Sequence, residues 1–182
     1  MIELIIGPMF SSKTTTLASK LERASIAKKR TLLIRPDMDT RNYFMHSEVG
    51  NVTFKFKYKV DVIKTNNLYT VDLDKYDVIG IDEGQFQENL KAFCLKALYL
   101  KKQIYISALN ASSEQKMFQS IIDVFPYCDF ITKLNAVCPV CGSDVANYTV
   151  YTGENKDSEF LVGGSESYQT LCFKDAIKFF KE

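Results

Sequence analysis

The 182-residue sequence predicts an α/β fold, a parallel sheet with helices on both faces, followed by a small C-terminal appendage. Three observations predict it. Apolar strand-like runs alternate with helix-period segments through the first three quarters of the chain. A Gly7-Pro8 turn leading to Lys13-Thr14 joins the first strand to the first helix. After residue 134 the texture changes to short β-branched and aromatic runs separated by glycines. With 46% apolar residues, a chain of this length buries one substantial core and is too short for two ordinary domains. The expected division is a core over 1–134 and an appendage over 135–182.

Taken in order, residues 2–6 read as a buried strand and 13–28 as a helix, with Leu17, Leu21, Ala24 and Ala27 recurring at helical spacing. Residues 31–34 form the next strand, closed by Arg35-Pro36 because a residue before proline is driven to extended geometry. The polar stretch 35–51 shows neither period and reads as a mobile loop carrying the only histidine, His46. A short strand is expected at 60–63. Residues 78–81 are an apolar run ending in Asp82-Glu83, which suits a buried parallel strand with acids at its C-terminal tip. A helix follows at 90–100 and a strand at 103–107. Cys94 on that helix and Cys128 before a further strand read as small core residues. In the appendage, strand-like runs fall at 147–152 and 159–162, and a short helix at 174–181.

Composition removes several classes of function. Lys plus Arg total 23 against 22 for Asp plus Glu, so a net charge of +1 gives no field to hold polymeric nucleic acid by counterion release. No run reaches the ~20 apolar residues of a membrane helix, and the opening strand lacks the flanks of a signal peptide. Five cysteines, an odd number with one C-x-x-C pair, favour reduced thiols and a metal over disulfides. The expected location is the cytoplasm.

Gly7, Pro8, Met9, Phe10, Ser11, Ser12, Lys13 and Thr14 follow a strand and open a helix, the setting of a phosphate-binding (Walker A) P-loop. Backbone N–H groups at a helix N-terminus cradle phosphate oxygens, Lys13 neutralises β/γ charge and the Thr14 hydroxyl ligates Mg²⁺. Ser12 stands where the pattern has its second glycine. If that position needs positive φ, a Cβ costs about 1–2 kcal/mol; if it is helical, serine fits. Asp82 ends an apolar strand as the Walker B acid does, placed to hold Mg²⁺, and Glu83 is placed to orient a hydroxyl and take its proton. Cys138-Pro139-Val140-Cys141-Gly142 is a zinc-knuckle half-site, with a redox C-x-x-C as the competing reading.

G-P-M-F-S-x-K-T near the start, D-E-G-Q-F after the central strand, and C-x-x-C with V-G-G-x-x-x-Y near the end resemble the type II thymidine kinases, in that family's order across nearly the whole chain. The resemblance implies a P-loop kinase core, a zinc-bearing lasso domain closing over the nucleoside, a homotetramer, Mg²⁺ with ATP as donor, thymidine as acceptor and feedback inhibition by dTTP. It implies the 5′-hydroxyl base at Glu83, an aromatic on the thymine ring at Phe86 and a pocket residue at Met9. Asp39-Thr40-Arg41 matches a loop in which Arg41 approaches the phosphates. Leu109 and Phe118 match apolar pocket contacts. Thr149 matches a threonine facing the thymine methyl, and Val162, Gly163, Gly164 and Tyr168 match the segment whose backbone brackets the nucleoside.

The family carries a second C-x-x-C, whereas this chain has Cys172 with Asp175 in the fourth place. Carboxylate is an admissible zinc ligand, so the implied set is Cys138, Cys141, Cys172 and Asp175; a lost metal or a water in the fourth position is the alternative. Ser113 stands where the family usually has an aromatic, and base stacking is worth about 1–3 kcal/mol. The competing functional readings are a catalytically weak or inactive nucleotide-binding relative, a deoxynucleoside kinase of altered base specificity, another P-loop ATPase, and a zinc-ribbon nucleic-acid binder.

Overall fold

The computed structural model of the protein describes residues 1–37, 56–153 and 167–180. Its centre is a six-stranded, wholly parallel sheet built from β1 (Ile2–Gly7), β2 (Thr31–Arg35), β3 (Asp61–Lys64), β4 (Val78–Ile81), β5 (Gln103–Leu109) and β6 (Phe130–Lys133), in the order β3-β2-β4-β5-β1-β6. In this order β5 lies between β1 and β4, so the tips that carry the phosphate loop and the acidic pair flank the tip of β5.

Alternation along each strand feeds two separate cores. Leu4, Ile6, Leu32, Ile34, Ile79, Ile81, Ile104 and Ile106 point to one face. There they meet Leu90, Phe93, Cys94 and Ala97 of α2 (Leu90–Tyr99) and Ile121 and Val124 of α3 (Gln119–Val124). Ile5, Leu33 and Val78 point to the other face and meet Leu17 and Leu21 of α1 (Lys13–Ile26). Helices therefore cover both faces, as expected. Each fully buried Leu or Ile contributes about 1.5–3 kcal/mol relative to exposure.

Helix α1 stops two residues short of the expected end, and Ala27 is exposed. Lys28 at φ 61° closes it with a Schellman turn, in which Lys28 N–H donates to Ser25 C=O and Lys29 N–H to Ala24 C=O. Lys101 at φ 56° ends α2 in the same way, with Lys102 N–H on Ala97 C=O. Glycine is the usual residue at such positions, so the sequence gives no stop signal. Cys94 is fully buried, and Cys128 is half-buried with its Sγ 3.5 Å from the Val124 carbonyl.

Beyond Leu134 the chain forms a second, two-stranded antiparallel sheet, β7 (Tyr148–Tyr151) with β8 (Tyr168–Leu171), and a single turn of helix, α4 (Phe173–Ala176), continued as a 3₁₀ turn to Phe179. Its core is small: Ala136, Cys138, Ala146, Val150, Leu171, Cys172 and Ala176. The strand expected at 159–162 lies outside the described residues.

Candidate functional site

Strand β1 is buried along its whole length and ends at Gly7, where a Cβ would sit 2.7 Å from the Leu134 carbonyl oxygen, so only glycine fits. The loop that follows carries left-handed residues at Phe10 (φ 63°) and Ser12 (φ 61°, ψ 26°). The question left by the sequence is thus answered: Ser12 occupies the geometry that glycine normally takes, as the N-cap of α1, and carries the cost of its Cβ. The Phe10 side chain points to solvent at 57% exposure, whereas Ser11 and Lys13 are buried. Lys13 Nζ donates to the Pro8 carbonyl at 2.6 Å and Ser11 Oγ donates to the same oxygen at 2.9 Å. The lysine is held over the loop before any phosphate arrives.

Asp82 is 1% exposed at the tip of β4. Thr14 Oγ1 donates to its two carboxylate oxygens at 3.1 and 3.2 Å, the Glu83 N–H donates to Oδ1 at 3.1 Å, and Ser107 Oγ from the tip of β5 makes a short hydrogen bond to Oδ1. The hydroxyl and the carboxylate expected to share a cation are therefore in contact. Glu83 is half-buried and sits at φ 50°, ψ 48°, a strained conformation of the kind that collects at functional sites. The following residue has to be Gly84, since a Cβ there would lie 2.6 Å from Ile106 Cγ2.

Phe86 and Phe118 meet edge to face, with ring centroids 6.3 Å apart. Leu109 is half-buried at the end of β5, and Met9 in the phosphate loop is held from the second sheet. Its N–H donates to Thr149 Oγ1 at 3.1 Å and its carbonyl accepts from Thr170 Oγ1 at 2.9 Å. Thr149 and Thr170 are directly paired across β7 and β8, so one rung of the second sheet grips both sides of one residue, Met9, of the phosphate loop. The Thr149 carbonyl accepts from Gln115 Nε2 at 3.0 Å. Tyr168 packs edge to face on Tyr151 at 5.3 Å, at the end of the pair where β7 leads on to β8. Asp39, Thr40, Arg41, His46, Val162, Gly163 and Gly164 lie outside the described residues.

The four residues expected to hold zinc converge. Their ligand atoms all lie within 4.8 Å of one another. Cys138 and Cys172 Sγ stand 3.2 and 3.3 Å from Asp175 Oδ2, and Cys141 Sγ is 3.6 Å from Cys172 Sγ. A disulfide needs about 2.05 Å between sulfurs, whereas a tetrahedron with Zn–S of about 2.3 Å has edges near 3.8 Å. The donor set therefore fits an ion, and Asp175 completes it in place of a fourth thiolate. Gly142 at φ 75° lets the knuckle turn so that its N–H reaches the Cys138 carbonyl. Asp175 lies on the first turn of α4, whose N-cap is Cys172.

Burial pushes the Cys138 thiol up, but N–H groups of Cys172, Cys141 and Val140 aimed at the sulfur outweigh it, and the net shift is downward. A Ser143 N–H lowers Cys141, yet hydrogen bonds to Asp175, Cys172 and Cys138 push it up to about 12. Cys141 thus retains a proton that a bound cation would displace.

Three residues here were not singled out from the sequence. Ser107 is a polar residue near the end of an otherwise apolar strand beside Asp82, a signal that was present but ambiguous. Gln85 belongs to the D-E-G-Q-F motif without having been given a role. Thr170 is opposite Thr149 only once the β7–β8 register is known.

A family profile described as thymidine kinase matches residues 1–175. The chain is 38% identical over 178 residues to the thymidine kinase of Amsacta moorei entomopoxvirus, covering 94% of each chain. It is 37% identical over 173 residues to thymidine kinase 1 of Dictyostelium discoideum, covering 94% of this chain and 75% of that one. With the thymidine kinase of Myxoma virus (strain Lausanne) it shares 34% identity over 176 residues, covering 95% and 94%. One continuous match runs through the phosphate loop, the acidic tip and the metal cluster alike, and on that ground the chain belongs to the thymidine kinase family.

Proposed function

We propose that this protein transfers the γ-phosphate of ATP to the 5′-hydroxyl of thymidine, giving dTMP for deoxynucleotide salvage. The observation that carries the reading is the contact of Thr14 with Asp82, with Glu83 next in the chain and Lys13 buried over the loop. Loop N–H groups and Lys13 bind the β- and γ-phosphates, and Arg41 approaches them from the following segment. Thr14 and Asp82 hold Mg²⁺, which when bound neutralises charge on the β- and γ-phosphoryl oxygens. Glu83 accepts the 5′-hydroxyl proton as the O5′–Pγ bond forms and the bond from Pγ to the bridging oxygen of ADP breaks.

Phe86, Phe118, Leu109 and Met9 form the base pocket, with Thr149 at its edge and Val162, Gly163, Gly164 and Tyr168 closing over the nucleoside. Residues 135–182 form a lasso domain held by structural zinc on Cys138, Cys141, Cys172 and Asp175. Its presence supports the loop through Thr149 and Thr170. Neither Ser12 nor Asp175 removes a part of the constellation, so the catalytically weak alternative is not favoured.

Feedback by dTTP belongs to the same reading, since one thymine nucleotide carries both the base and the phosphates that the site would take. For a homotetramer, the outer strand β6 offers an exposed edge carrying Phe130 (59% exposed) and Ile131. All five cysteines are unpaired, which suits a reducing cytoplasm. No helix among the described residues is long and apolar enough to cross a membrane.

The test is formation of dTMP from thymidine and MgATP by the purified protein, with deoxyuridine and deoxycytidine as competing acceptors. Glu83→Gln is expected to lower kcat by about 10²–10⁴ while ATP binding persists. Full turnover in that variant would remove Glu83 as the base, and phosphorylation of deoxycytidine in preference to thymidine would overturn the substrate.

A further inference from the structure

We propose that Gln85 is a positioning residue that fixes the Glu83 carboxylate for proton transfer. This inference rests on Glu83 being the base. Gln85 is 8% exposed and lies in the short turn that follows the acidic tip. Its Oε1 accepts the Leu109 N–H at 3.1 Å, and its Nε2 donates to Glu83 Oε2 at 2.7 Å.

The first contact decides the second. A carboxamide turned the other way would aim its NH₂ at the Leu109 N–H and leave two buried donors facing each other, so the end of β5 dictates which end of the amide reaches Glu83. The rest of the residue is equally constrained. Its carbonyl accepts from Ser120 Oγ at 3.1 Å at the start of α3, and Gly84 before it seats against Ile106 with no room for a Cβ. The amide is thus clamped from β5 and α3 and presents one rigid N–H to the base.

Glutamate needs this help because it sits on a left-handed backbone at the rim of the sheet and has three side-chain torsions to order. A misplacement of about 1 Å in a reacting group costs on the order of a hundredfold in rate. A neutral donor also suits the task. It orients one carboxylate oxygen without placing a cation against the group that must accept a proton, and an ionised carboxylate keeps acceptor capacity for the hydroxyl. Leu109, whose backbone sets the amide, also lines the proposed base pocket, so the nucleoside site and the base share one strand tip.

Steady-state kinetics of Gln85→Glu and Gln85→Met test this. Gln85→Glu keeps the acceptor for Leu109 but sets a second carboxylate against Glu83 in place of the donor, so a fall in kcat counts for positioning only where the uncharged Gln85→Met shows it too. Gln85→Met removes both, and its melting temperature reports any loss of folding. For Gln85→Glu we expect kcat to fall about 10–100-fold, with KM for thymidine and for MgATP within about threefold of the parent. In a Glu83→Ala background, measured by single turnover, adding Gln85→Glu should cost less than about threefold, because the positioned group is already gone. A merely structural residue would cost the same factor in both backgrounds, and that result would overturn the proposal. So would an unchanged kcat in Gln85→Glu while Glu83→Gln abolishes turnover. Retained turnover in Glu83→Gln would instead remove the base itself, a separate failure read from a separate variant.

Discussion

The six-stranded sheet and the two-stranded sheet of this protein are held by different means. In the first, Ile and Leu side chains fill both faces, and residues such as Ile79, Ile104 and Leu21 are entirely removed from water. In the second, three of the seven core residues are alanines and two are cysteines of the candidate metal cluster, leaving Val150 and Leu171 as the larger apolar groups. A two-stranded ladder is marginal by itself, and so small a core needs a covalent or metal staple. The large sheet is a product of burial, whereas the small one depends on four converging ligands and on the grip of two threonines.

The sharpest way to break this contrast is to disable the proposed metal site. Chelation, or Cys138→Ser, should abolish hydrogen-exchange protection in Tyr148–Tyr151 and Tyr168–Leu171 while the amides of Ile2–Gly7 and Gln103–Leu109 stay protected. The expected scale is large, because small zinc modules draw about 10–16 kcal/mol of apparent folding energy from the ion. Protection that survives in both sheets would mean that the small one stands on packing alone.

A smaller effect probes the other side. Ile79→Ala, at the centre of the large sheet, should lower stability by about 2–5 kcal/mol in denaturant titration while leaving metal stoichiometry unchanged. The smallest effect concerns strain at the catalytic rim rather than either core. Ser12→Gly relieves a Cβ at φ 61° and should raise stability by about 0.5–1 kcal/mol after the greater freedom of the unfolded glycine is set against it. A loss of stability would show that the serine side chain is contributing contacts there.

The same division explains what was legible from sequence. Strands β1 and β4 are continuous apolar runs because both of their faces are covered, and they were read with ends accurate to about a residue. Strand β3 was placed one residue early, and α3, only six residues long, carries too little periodicity to be recognised. Strand β6 was expected after Cys128 without bounds, and being exposed along three of its four positions it has no alternating pattern to fix its ends. Strand β8 is specified by its partner across the hairpin, not by its own composition.

The site was legible wherever chemistry demands a fixed spacing. Thr14 of the loop meets Asp82 where their motifs put them, and Cys172 with Asp175, placed by the family resemblance, converge on the locally spaced Cys138 and Cys141. Gln85, Ser107 and Thr170 act through contacts between segments distant in the chain, and no local pattern encodes those.

The rung that grips Met9 also bears on how the protein is made. Thr149 and Thr170 lie 140 and 161 positions downstream of the residue they hold. As synthesis runs from the N-terminus, strand β1 and its loop leave the ribosome long before the residues that latch them. A nascent chain stalled ahead of Thr170 carries the phosphate loop without its full latch, so the loop is completed only once a segment far downstream has been made.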